Sequence, residues 1–269
     1  MREVVLRVPA HALDDVLDRI LPLVPDGVRE SAVPPSEVEL RMRGPQLPSL
    51  ASIARAVGTL PFRISEHAVS DDWQERRLAE YEADPIGGRL VVRPPWAPPP
   101  GSGLIDIVLE EGGAFGVGTH PTTRTCLELL LDLPPAGSFT DLGCGSGVLA
   151  ILARRLGWWP VTALDVQAAS VAAAQANAVR NAVEIQAGVC DLSRESALPA
   201  AGFAANVPAA VHLAIASSWR KGETPGAGLV SGFGPHQAAA VAEAYAASGL
   251  REGRRHVLHG WVVAELARA

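Results

Sequence analysis

A glycine-rich turn at residues 141–147, DLGCGSG, has the composition of a ligand-binding loop. Gly143, Gly145 and Gly147 stand at alternate positions between a strand-like apolar run and a helical one. Glycine has no Cβ, so a turn of this kind at the end of a first parallel strand lets a nucleotide-like ligand approach the backbone closely. Composition and position therefore predict a cofactor site. The alternative is a tight turn that binds nothing.

Two carboxylates frame this turn and narrow the choice of ligand. Asp141 precedes the glycines and is expected to face a positively charged amino-acid group. Asp165 ends the apolar run VTALDV, where a carboxylate can accept both hydroxyls of a ribose. An NAD site would share Asp165, but its fingerprint is GxGxxG and its helix N-terminus faces a pyrophosphate. The GxGxG spacing departs from that fingerprint, so the turn favours a nucleotide-like ligand other than NAD, with a dehydrogenase as the alternative.

The elements that must position these residues follow from hydrophobic periodicity. Helical patterns cover 122–132, 147–156, 168–180 and 235–248, and strand patterns lead into DLG, VTALDV and GLVSGF. Alternation of this kind predicts an α/β fold with a mostly parallel sheet covered on both faces. The two apolar runs within REGRRHVLHGWVVAELARA predict an antiparallel hairpin at the sheet edge.

The first part of the chain reads as a separate small α+β domain, over residues 1–65. Its pattern is β-α-β-α, with strands at 2–8 and 37–44 and helices at 10–23 and 48–61. A linker helix is expected over 66–87, and the cofactor domain over 88–269. Residues 1–60 hold seven arginines and eight acidic residues, so this domain predicts a protein partner rather than direct contact with nucleic acid.

Overall composition excludes several classes of function. The net charge of −6 gives no general attraction for phosphate backbones. The three cysteines form no CxxC pair, so neither a disulfide framework nor a metal site is predicted. No run is long and apolar enough to cross a membrane, and the N-terminus does not resemble a secretory signal. We therefore expect a cytoplasmic protein.

Two motifs carry a resemblance to known families. DLGCGSG together with Asp165 resembles the class I S-adenosyl-L-methionine-dependent methyltransferases. GGAFGVGTHPTTRTCLELL, at 112–130, resembles the PrmA family, which methylates large-subunit ribosomal protein eleven. The segments DDWQERRLAEYEADPIGGRLVV, QANAVRNAV and LVSGFGPHQAAAVAEAY extend this resemblance over nearly the whole chain. It implies a Rossmann-like fold with a mostly parallel seven-stranded sheet, and N-methylation of lysine or terminal amines.

The resemblance also implies roles for individual residues. The positions expected to bind S-adenosyl-L-methionine are Thr123, Asp141, Gly143, Gly145, Asp165 and Asn206. The positions expected beside methyl transfer are Asn206, Phe115 and His120. The Asn206-Val207-Pro208 turn resembles one that places an amide oxygen near the target nitrogen. The alternatives are a helix cap for Thr123 and a structural loop histidine for His120, while His212, His236, His256 and His259 are interpreted as structural.

Three departures from the family pattern bear on the substrate. Val117 replaces a threonine of the loop, and Gln167 replaces a second acid after Asp165. The segment AAGFAANVPAAVH, expected to be the fourth strand, has Ala201, Gly202 and Phe203 in place of an acid and a longer apolar run. The alternatives are therefore a relative that methylates another protein or a small-molecule amine, and a protein that binds the cofactor without transferring its methyl group.

Overall fold

The computed structural model describes residues 2–24, 28–34, 36–44, 47–68, 81–110, 120–196, 200–219, 224–258 and 260–268. These residues fall into two compact units, one ending at Glu82 and the other beginning at Ala83.

The first unit is an antiparallel four-stranded sheet with two helices. Its elements are β1 (Arg2–Pro9), α1 (Leu13–Ile20), β2 (Arg29–Val33), β3 (Glu37–Gly44), α2 (Leu50–Val57) and β4 (Arg63–Ala68). The strand order is β2-β3-β1-β4. Val4, Leu6 and Val8 alternate along β1 and pack with Val16 and Ile20 of α1 in one core, because successive side chains of a strand point to opposite faces.

The β-α-β-α prediction misses both edge strands of this sheet. β2 (RESAV) and β4 (RISEHA) are short and rich in polar residues, as edge strands commonly are, so they lack the apolar alternation that marks β1 and β3. β4 pairs with β1 as far as Ala68, past the predicted domain limit at 65. The ends of the predicted linker helix, 66–68 and 81–87, are not helical, and 69–80 lie outside the described residues.

The second unit is built on a seven-stranded sheet. Its elements are β5 (Leu90–Arg93), β6 (Ile105–Val108), α3 (Pro121–Leu130), β7 (Phe139–Leu142), α4 (Val148–Leu156), β8 (Val161–Asp165), α5 (Ala168–Arg180), β9 (Gln186–Val189), β10 (Gly202–Asn206), α6 (Ala209–Ser218), β11 (Ala227–Phe233), α7 (Ala238–Ser248), β12 (Leu250–Leu258) and β13 (Trp261–Arg268). The order β12-β13-β11-β10-β7-β8-β9 confirms the predicted mostly parallel sheet and its edge hairpin. β5 and β6 form a separate parallel pair.

Two hydrophobic clusters cover the two faces of this sheet. One joins α3, α4 and α5 to the sheet, and the other joins α6 and α7 to it. β7, β8 and β10 are neighbouring parallel strands, so their carboxyl ends meet at one edge. Leu142, Asp165 and Asn206 end these strands, and the sheet therefore brings the glycine turn, the second acid and the predicted amide together.

The strand with the altered sequence, β10, is accommodated by glycines at its own start and on the neighbouring strand β11. Phe203 of β10 is fully buried and lies edge-on to Trp219, with ring centroids 4.9 Å apart. A Cβ on Gly228 of β11 would lie 1.9 Å from the Phe203 ring, and a Cβ on Gly202 would lie 2.6 Å from the Trp158 ring. β10 therefore pairs with both of its neighbours, and the two glycines leave the space that the Phe203 and Trp158 rings occupy.

Candidate functional site

The glycine turn after β7 is hydrogen-bonded to β8 on one side and packs against the residue that follows β10 on the other. The N–H groups of Gly143 and Cys144 both donate to the Leu164 carbonyl, at 2.8 and 3.0 Å. Gly143 has φ +78°, and a Cβ there would lie 2.3 Å from Val207 Cγ1. Only glycine combines this conformation with so close an approach, so the predicted need for glycine at 143 has a direct structural reason.

The Asp165 carboxylate is held by backbone donors at the end of β8. Oδ2 accepts from the Gly145 N–H at 3.0 Å, and Oδ1 accepts from the Gln167 N–H at 2.9 Å. Because the contact from residue 167 comes from its backbone, the replacement of an acid by glutamine there does not remove it. The adjacent Val166 side chain is 60% exposed and leaves an apolar surface beside the carboxylate.

Asp141 is a buried acid with one of its two carboxylate oxygens lacking a hydrogen-bond donor. Its carboxylate is 1% exposed, Oδ2 accepts from the Ala150 N–H at 3.1 Å, and Oδ1 has no partner among the described residues. Burial, with a smaller contribution from the charge of Asp165, raises the pKa of Asp141 to about 7. A buried oxygen without a donor is costly, so this position fits the positively charged amino group of an S-adenosyl-L-methionine ligand.

A chain of polar side chains connects the start of α3 to the end of β10. His120 caps α3, its Nδ1 accepting from the Thr122 N–H at 3.3 Å and lying 2.7 Å from Thr122 Oγ1. Asn206 Nδ2 donates to Thr122 Oγ1 at 3.0 Å and reaches Thr123 Oγ1 at 3.5 Å. Burial lowers the pKa of His120 and so favours its neutral form. Its ring also lies edge-on to Trp261, with centroids 5.6 Å apart.

Several sequence-predicted residues therefore meet at this edge. The structure brings together Asp141, Gly143, Gly145, Asp165, Asn206, His120 and Thr123. Phe115 and Val117 lie outside the described residues. Sequence reasoning missed Thr122, which makes the shorter hydrogen bond to Asn206, because two adjacent threonines after Pro121 are equivalent in a sequence pattern. The helix cap is His120 rather than Thr123.

The turn that carries Asn206 is supported from within the core. The Ser231 carbonyl accepts from the Val207 N–H at 3.0 Å and from His212 Nε2 at 2.8 Å, and His212 Nδ1 lies 2.9 Å from the Tyr245 hydroxyl. A carbonyl only accepts, so Nε2 carries the proton and Nδ1 accepts from Tyr245. Burial lowers the pKa of His212 to about 4. This geometry agrees with the structural interpretation of His212.

Comparisons with known proteins bear on the identity of this chain. The family model described as "Ribosomal protein L11 methyltransferase (PrmA)" matches residues 48–269. The chain belongs to the ribosomal protein L11 methyltransferase family. Relatives with that name from Burkholderia multivorans and Burkholderia ambifaria strain MC40-6 are 37% and 38% identical, over 205 and 180 residues. These matches cover 73% and 65% of this chain, and 66% and 58% of the relatives' own length.

A solved structure of the L11 methyltransferase family supports the fold. The ribosomal protein L11 methylase from Lactobacillus delbrueckii subsp. bulgaricus superimposes with a TM-score of 0.61 at 25% identity, over 70% of this chain and 99% of that one. The predicted family and the predicted Rossmann-like fold class are both confirmed. Across the described ranges, no helix is long and apolar enough to span a bilayer, and no three His, Cys, Asp or Glu side chains cluster as a metal site would need.

Proposed function

We propose that this protein is an S-adenosyl-L-methionine-dependent N-methyltransferase of ribosomal protein L11, acting on lysine or terminal amines. Family membership supports the reaction and the substrate, since the matched relatives are named for them. The observation that carries the proposal is the buried Asp141 oxygen without a donor, beside a glycine turn and the Asp165 carboxylate. We further place the protein in the cytoplasm, where ribosomal proteins are made.

The residues at this edge suit a sulfonium cofactor. Asp165 would hold the ribose hydroxyls, the turn at Gly143 and Gly145 would lie against the ligand, and Asp141 would face its amino group. S-adenosyl-L-methionine, when bound, supplies an electrophilic methyl group. Methyl transfer is a direct displacement, so the protein has to align the reactants and exclude water rather than provide a catalytic triad.

Asn206 is the residue we assign to orienting the acceptor amine. Its Nδ2 donates a hydrogen bond to Thr122 Oγ1, and no described residue donates to its Oδ1. The carboxamide oxygen is therefore the atom available to accept an N–H of the substrate. The acceptor amine reacts only when neutral, and a site that desolvates an ammonium group lowers its pKa. A neutral His120 beside Asn206 adds no positive charge of its own.

The first unit is the part we assign to recognition of the protein substrate. One face of its sheet carries paired opposite charges: the part-exposed Arg7 lies 2.7 Å from the buried Glu39, and the part-exposed Arg41 also contacts Glu39. Hydrogen bonds from Arg7 and then Arg41 hold the pKa of Glu39 below its usual range despite burial. Because this face is balanced rather than basic, a protein surface fits it better than a nucleic-acid backbone.

The test is intact-mass analysis of the host's L11 after incubation with this protein and S-adenosyl-L-methionine. We expect mass gains in whole-methyl steps, strongly reduced for Asn206→Ala and Thr122→Val and largely retained for Thr122→Ser, which keeps the hydroxyl. An unchanged L11 mass alongside calorimetric binding of the cofactor would move the activity to another protein or a small-molecule amine. Absence of cofactor binding would overturn the proposal altogether.

A further inference from the structure

The segment QANAVRNAV places one buried asparagine on α5 and a second directly after the last residue of α5, and their contacts differ in kind. Asn177 and Asn181 stand one helical turn apart, and each is 3% exposed. Buried carboxamides need partners for both their N–H and C=O groups. In both residues the partners are backbone atoms, and most of these lie outside the helix.

Asn181 acts as an additional peptide group on β6. Its Oδ1 accepts from the Val108 N–H at 2.8 Å, and its Nδ2 donates to the Val108 carbonyl at 2.7 Å and to the Asn177 carbonyl at 2.8 Å. These side-chain bonds attach α5 to the strand pair. They do not reach the glycine turn.

Asn177 instead joins the glycine turn to the chain beyond β6. Its Nδ2 donates to the Ser146 carbonyl at 3.0 Å, and its Oδ1 accepts from the Glu110 N–H at 3.1 Å. The neighbouring Gly147 has φ +78°, and a Cβ there would lie 2.8 Å from the Ala174 Cβ, so α5 packs directly on the turn. A side chain that both donates and accepts is required between these two backbone atoms.

We propose that Asn177 is a positioning residue that sets the glycine turn for cofactor binding. It holds the Ser146 carbonyl in place, and this restrains the turn in which the Gly145 N–H, two peptide groups earlier, reaches Asp165. The inference rests on the proposed function, since it concerns affinity for S-adenosyl-L-methionine at that turn. Asn181 is equally buried and directly follows the same helix, and its side chain bonds only to the Val108 backbone and the Asn177 carbonyl, so it serves as the matched control.

The experiment compares Asn177→Asp with Asn181→Asp by calorimetry with S-adenosylhomocysteine and by thermal unfolding. Each change keeps an acceptor and removes the donors. We expect both variants to unfold at lower temperature, and only Asn177→Asp to bind the ligand more weakly, by roughly tenfold, as the loss of one buried hydrogen-bond donor predicts. The ratio of its dissociation constant to that of the wild type should shrink between about pH 8 and about pH 5.5, because a protonated carboxyl donates again.

The outcomes separate this inference from the proposed function. Wild-type affinity for Asn177→Asp, or an equal loss in Asn181→Asp, would overturn the positioning role while leaving the methyltransferase assignment in place. Failure of the wild type to bind S-adenosylhomocysteine would overturn both. Should Asn177→Asp not fold, Asn177→Ser removes the carboxamide without adding charge, and we expect it to lose affinity without recovery at low pH.

Discussion

At the scale of single residues, the site depends on a charge that the fold keeps away from water. Asp141 is the acid of the DLGCGSG motif, and its sequence position explains why it lies at the end of β7. Its environment is a property of the folded chain: burial raises its pKa to about 7, and the one hydrogen bond from Ala150 offsets this only in part. An acid in this state binds a cationic group best when ionised, so cofactor affinity should rise with pH through this pKa.

Replacement of Asp141 by asparagine tests this description. The folded-state pKa lies above the usual value of 3.8, so the folded protein holds this proton more tightly than the unfolded chain does. The stability linked to this proton is therefore lost as pH rises between about 4 and about 7. We expect the Tm of Asp141→Asn, measured relative to that of the wild type, to rise between pH 5 and pH 8. The variant should also bind the cofactor more weakly than the wild type does.

Asp191→Asn supplies the control for that measurement. Hydrogen bonds from Ser193 hold the pKa of Asp191 below its usual range, so this group is ionised in both the folded and unfolded states above about pH 5. Its Tm difference from wild type should stay constant from pH 5 to pH 8. A flat difference for Asp141→Asn as well would contradict the buried, partly protonated state of Asp141.

At the scale of elements, β10 shows how an altered strand is retained. The sequence of this strand departs from the family pattern, yet it lies between β7 and β11 and positions Asn206 at the shared edge. Its largest side chain, Phe203, fills the space that Gly228 on the next strand leaves open. The two positions are far apart in sequence, so their complementarity appears only when the strands pair.

Gly228→Ala should therefore destabilise the protein. A new Cβ 1.9 Å from the Phe203 ring forces that ring to move within a closely packed core, and overpacking of this kind costs about 1–3 kcal/mol. Urea unfolding measures the change. Gly253→Ala, on β12, is the control, because a Cβ there has its nearest contact at 3.8 Å. Equal stability of the two variants would be inconsistent with the packing of Phe203.

At the scale of the whole molecule, the pH dependence of stability is the sum of contributions from buried groups whose pKa values are shifted in opposite directions. Asp141 loses stabilisation as pH rises. His212 behaves in the reverse sense, because burial lowers its pKa from 6.5 to about 4. The unfolded chain takes up a proton at His212 below about pH 6.5 and the folded one does not. The stability that His212 provides near neutrality is thus lost progressively as pH falls toward 4.

His212→Gln separates this contribution from the rest of the profile. Glutamine keeps an N–H donor for the Ser231 carbonyl but does not titrate, so the variant should be less stable than wild type at pH 7.5, with a deficit that shrinks by pH 5. Thermal unfolding across this range measures the difference. His236→Gln, at an exposed position, is the control. A deficit for His212→Gln that grows on acidification would show that His212 is protonated in the folded state.

Local sequence pattern was enough to predict the fold class, the glycine turn, the family, and most of the strands and helices from 122 onward, although β9 and α6 were not predicted. Hydrophobic periodicity and glycine conformation act over a few residues, so they can be read along the chain. Domain limits and the roles of the site residues remain predictions. Tertiary structure alone decided the edge strands β2 and β4, the choice of Thr122 over Thr123, and the bond of Asn177 to the turn. These depend on which distant segments meet, because pairing, burial and hydrogen-bond partners arise only when the chain folds.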